Sequence, residues 1–227
     1  MGCALIQRLV LGVTLAAGLA ASGLTPLAAP ATRAAPGTDA GSPQLHAAEL
    51  SAALLSDADL PSGWRVVDGA GPAPERYAWC PAGAALPVMP RAQAARSYWS
   101  DAPSPLLYHR VLAFRPGEAT GVLAALRAGS GACAWAETEA DAEPMHFELG
   151  VAADLALGDE ALRRRLTARW EGGVAEADIL IVRRGAFVLI LTHVVVGTGP
   201  NATDARLSDR VTERAVAKLS ALANGAG

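Results

Sequence analysis

Between Arg164 and Val196 three segments of strand character follow one another with almost no chain left to connect them, and this constrains the fold more than any other feature. Arg164 to Trp170 alternates, with Leu166, Ala168 and Trp170 on one side and Arg165, Thr167 and Arg169 on the other. That is the period of a half-buried strand. Gly172-Gly173 is expected to turn the chain, and Ile179 to Val182 is a fully apolar run. Arg184-Gly185 turns it again, and Phe187 to Val196 returns with apolar residues on both faces. Connections this short leave no room for a crossover, so the three strands must be antiparallel neighbours. The last two, apolar on both faces, are expected at the centre of a sheet that is covered on both sides.

The remaining segments supply that cover. Pro43 to Leu55 reads as a helix that Ser42 can cap, with Leu45, Ala48, Leu50, Ala53 and Leu54 on one stripe. Pro61 and Gly63 break the pattern, and Trp64 to Val67 follows as a short strand. Asp68 to Arg91 is dense in Pro, Gly and Ala; an irregular loop of that length in a compact domain is a candidate for function. Gln93 to Ser100 and Leu106 to Phe114 read as strands. Pro116-Gly117-Glu118 opens a helix to about Ala128, with Ala119, Val122, Leu123 and Leu126 on its apolar face. Cys133 to Thr138 and Met145 to Val151 are further strands. Thr203 to Leu222 is a closing helix that aligns Leu207, Val211, Ala215, Leu219 and Leu222. The fold class expected is α+β: an antiparallel sheet with a central C-terminal meander, flanked by helices and carrying one disulfide.

The N-terminus predicts export. Arg8 precedes the uncharged run Leu9 to Leu24, and small residues around Ala28 to Ala34 offer cleavage points, the three-part pattern of a secretory signal. The run is shorter than the ~20 residues that span a bilayer, so membrane attachment is expected only through an uncleaved N-terminal segment. Residues 1–34 are read as signal peptide, 35–43 as a flexible linker and 44–224 as one domain. Cys3 precedes the apolar run and so does not sit where a lipoprotein cysteine would. The other two cysteines, Cys80 and Cys133, are an even pair in an exported chain and are expected to form a disulfide worth roughly 4 kcal/mol by loop entropy. Zinc would need two more ligands, and no CxxC or HxxxH spacing supplies them. A net charge of −3 without a Lys/Arg block argues against nucleic-acid binding.

Three stretches carry a family resemblance: LLSDADLPSGW from Leu54 to Trp64, the spaced Cys80 and Cys133, and GDEALRRRL…ADILIVRRGAFVLIL from Gly158 to Leu191. Together they resemble the PknH-type sensor-domain family of actinobacterial receptor kinases and secreted or lipid-anchored proteins. The resemblance covers about residues 48 to 223. It implies an antiparallel sheet flanked by helices, a ligand cleft and no enzymatic activity. The chain departs from the kinase sensor in having one cysteine pair instead of two and no kinase segment.

Chemical signatures are sparse. No GxSxG, Walker loop or HExxH occurs, and no cofactor is expected. His109, His146 and His193 fall on expected strands and would form a metal site only if they converged; separated strand histidines are more often core or surface residues, so no metal is assigned. Glu137, Glu139, Asp141 and Glu143 alternate, as a solvated strand end does. Asp159-Glu160 reads as a polar turn. Tyr77 and Trp79 flank Cys80 on the long loop, and Trp99 lies on the next strand; these three aromatics are the candidate ligand-binding residues. The function expected is a non-catalytic binding or sensor-like module for a small molecule, glycan or envelope component, in a secreted, extracytoplasmic setting. An extracellular hydrolase with an Asp/Glu-His site and a protein–protein interaction module are the alternatives.

Overall fold

The computed structural model describes residues 47–67, 88–100, 106–129, 135–140, 143–197 and 209–225 of the 227. The signal, the linker, the closing tract 198–208 and both cysteines of the expected disulfide lie outside them, as do Tyr77 and Trp79.

Among the described residues, nine strands form one antiparallel sheet. They are β1 (Trp64–Val67), β2 (Ala92–Ser100), β3 (Leu106–Ala113), β4 (Trp135–Ala140), β5 (Glu143–Leu149), β6 (Ala153–Leu155), β7 (Glu160–Trp170), β8 (Gly173–Arg184) and β9 (Phe187–Gly197). Their order is β1-β2-β3-β9-β8-β7-β5-β4, with short β6 pairing beside β7. The meander β7-β8-β9 is present as the turn spacing requires, and β8 and β9 stand in the middle of the sheet.

Among the described residues, two helices cover one face and one covers the other. Helices α1 (Ala47–Ala52) and α3 (Asp209–Gly225) pack Leu50, Val211, Ala215 and Leu219 against Leu107, Val111, Leu180, Val182, Leu189 and Leu191. Helix α2 (Glu118–Gly129) lies on the reverse face, where Ala119, Val122, Leu123 and Leu126 meet Leu112, Leu162, Ile179, Ile181, Val188 and Ile190. A continuous apolar strand such as Ile179–Val182 thus feeds both cores, which is what a run without alternation demands.

Boundaries differ from expectation where charge disguises strand. β7 begins at Glu160 and not Arg164, because its arginines are matched: Arg164, buried on the α2 face, donates to the Gly150 carbonyl at 2.8 and 3.1 Å. β8 begins at Gly173 and so includes Glu176 and Asp178, both buried. The turns sit one residue from their expected places, with Trp170 paired to Gly173 and Arg184 to Phe187.

Asp159-Glu160 is a staple. The Asp159 carboxylate accepts from the Gly185 N–H at 2.7 Å and from Arg183 and Arg184 at 3.1 and 2.9 Å, tying the start of β7 to the β8–β9 turn. Glu160 and Asp154 both accept from Arg127 at the end of α2, each at 2.8 Å. The Gly185 N–H foremost, with the two guanidinium groups, holds the Asp159 carboxyl below its ordinary 3.8 against the opposing pull of partial burial. A depressed carboxyl stabilises the fold fully above its unfolded value and loses that contribution as pH falls through the folded one. Asp159→Ala is therefore expected to cost about 1–2 kcal/mol at neutral pH. In urea titrations the variant and the parent should draw together as the pH falls through the depressed folded value. A gap that persists in acid would assign the loss to packing and not to charge.

Candidate functional site

Residues paired across neighbouring strands point to the same side of a sheet, so the register sorts every strand residue onto a face. On the α1/α3 face one cross-strand row runs Arg163, Leu180, Leu191, His109, Arg96. The next runs Arg165, Asp178, His193, Leu107, Tyr98, and the third Thr167, Glu176, Val195. The face is therefore divided. Below the first row it is apolar and lies under the helices; above it, carboxylates, arginines and an imidazole gather.

The first row hides a clamp. The Leu55 N–H donates to His109 Nδ1 at 3.0 Å, and the Leu55 carbonyl accepts from Tyr98 Oη at 2.5 Å and Arg96 at 2.9 Å. Leu55 ends the α1 segment, where the helix has run out of internal partners. Three side chains from β2 and β3 thus complete its backbone and bind the helix to the sheet. Next to it, Asp59 in the 3-10 turn Asp57–Asp59 accepts from the Ser56 N–H at 2.8 Å and the Ser56 hydroxyl at 2.7 Å, and pairs with Lys218 of α3 at 3.2 Å. Because Nδ1 accepts, the proton of the neutral ring sits on Nε2. Burial, helped by Lys218 and Arg96, pushes the His109 pKa down to about 3, against the pull of Asp59. This histidine has no lone pair to offer a substrate.

The second and third rows form the candidate site. Arg163 grips Asp178 through Nε, at 2.9 and 3.1 Å to the two carboxylate oxygens, and through a terminal nitrogen to Oδ2. His193 stands directly opposite Asp178 on β9. The Trp64 indole reaches over β2 and β3 to place its ring 5.8 Å from that of His193, tilted by 52°. Glu176, two residues before Asp178 and on the same side, is 5% exposed. No hydrogen bond or ion pair joins it to any described residue.

The three strand histidines do not gather. His146 is on β5, opposite Arg169, and β7 and β8 stand between β5 and β9, a separation of about 14 Å at normal strand spacing. Among the described residues, no group of three His, Cys, Asp or Glu is placed to hold a metal ion. Glu137, Glu139 and Glu143 lie on the β4–β5 hairpin, with Glu137 in register with His146; Asp141 lies outside the described residues. Trp99 is on β2 opposite Leu106 and Arg65, on the α2 face, away from Trp64 and His193. Sequence reasoning passed over Glu176, Asp178, Arg163 and Trp64 as site residues. The available signal was Ala-Glu-Ala-Asp running straight into Ile179–Val182: two acids at i, i+2 leading into a central strand must share one face.

With that geometry in view, the chain was compared with known proteins. No family model matches it, and no curated protein matches it in sequence. Among solved structures it is similar to the extracellular domain of PknH from Mycobacterium tuberculosis, with a TM-score of 0.51 and 12% identity. The match covers 82% of this chain and 100% of that one. The two share a fold. At this identity the PknH likeness concerns backbone architecture alone. No described helix is long and apolar enough to cross a membrane.

Proposed function

We propose that this chain is an exported, non-catalytic ligand-binding or sensor-like domain of the bacterial cell envelope, and that its site is the polar half of the α1/α3 face. The observation that carries the reading is the gathering of Arg163, Glu176, Asp178 and His193 on one side of a sheet face that is elsewhere largely apolar. Polar groups converging on a sheet face supply the few oriented contacts that a ligand site needs. The PknH likeness supports the setting, since that neighbour is an extracellular domain. In this reading Cys80 and Cys133 are joined, the partner is a small molecule, glycan or other envelope component, and Tyr77, Trp79 and Trp99 border a second contact surface.

The register of His193 with Asp178 gives an extracellular hydrolase as the second reading. Both Asp178 oxygens are held by Arg163, however, so the carboxylate is already committed to a guanidinium. The binding reading is tested by thermal shift of the mature domain across envelope glycans, lipids and small metabolites. A ligand present at 100-fold its Kd adds about 2.7 kcal/mol. For a domain of this size the midpoint should rise by about 5–10 °C. Flat curves across the whole panel would count against the reading. Turnover of ester, peptide or glycoside substrates that disappears in His193→Ala would favour the hydrolase.

A further inference from the structure

We draw no further inference here: the strongest candidate, the outer edge of β2 from Ala92 to Arg96 beyond the end of β1, with the exposed side chains of Val67 and Met89 toward its two ends, carries nothing because no described residue shows what covers it.

Discussion

Replacing His109 by Ala should lower stability by about 3–4 kcal/mol near neutral pH, combining an emptied core site with a buried Leu55 N–H left without its acceptor. The effect should also depend on pH, with a sign fixed by the native imidazole. Its folded pKa of about 3 lies far below the ordinary 6.5, so between those values the unfolded chain takes up a proton that the native chain refuses. Stability of the parent therefore falls as pH drops below about 6.5, by up to about 1.4 kcal/mol per pH unit from this one group. The variant lacks that term, and the two stability curves should converge in mild acid. Tyr98→Phe offers a cleaner probe, removing only the hydroxyl that donates to the Leu55 carbonyl, at about 1–2 kcal/mol. The double variant should lose less than the sum, since both side chains secure one peptide segment. Strict additivity, or a pH-independent gap between parent and His109→Ala, would mean that the clamp does not act as a unit.

Gly158→Ala is the second large effect expected. Gly158 has φ +62°, and a Cβ there would lie 2.5 Å from the Arg183 carbonyl oxygen and 2.7 Å from Val182 Cγ1. That carbonyl cannot easily withdraw, because it accepts the Asp159 N–H at 2.9 Å. The left-handed backbone alone costs an L-residue about 1–2 kcal/mol. With the collision added, a loss of about 3 kcal/mol or more is expected, a fall of roughly 10 °C in midpoint. Gly185→Ala is the control: its φ is +59°, but nothing lies within 4 Å of the added carbon, so only the backbone cost applies. Equal losses at the two glycines would show that crowding at Gly158 contributes nothing.

The meander was legible because its turns are short and its last two strands are apolar on both faces, and those patterns admit one pairing. Helix α2 was legible for the same reason, since Ala119, Val122, Leu123 and Leu126 have no other common face. The sequence hid the beginnings of β7 and β8. Arg163–Arg165 and Glu176–Asp178 look like solvent-facing charge until one sees that Arg163 answers Asp178 across the sheet and Arg164 answers Gly150 on the other side. Partnership between residues distant in sequence leaves no periodic trace. The same blindness affected the site. Aromatics on the long loop stand out among its Pro, Gly and Ala, whereas a glutamate in an otherwise apolar strand becomes conspicuous only once its surroundings are known. His109 and His193, two positions apart across β3 and β9, read alike as strand histidines; burial beneath Leu55 separates the structural one from the one beside Asp178.

Lys218 is the chain's sole lysine, and its amine is engaged with Asp59 where α3 meets the α1 segment. Amine-directed chemistry on this protein therefore has two addresses, the α-amino group and that seam. A dye, crosslinker or sensor-chip linkage attached at Lys218 would pry at the junction joining helix to helix. Capture through an introduced tag would leave the junction undisturbed.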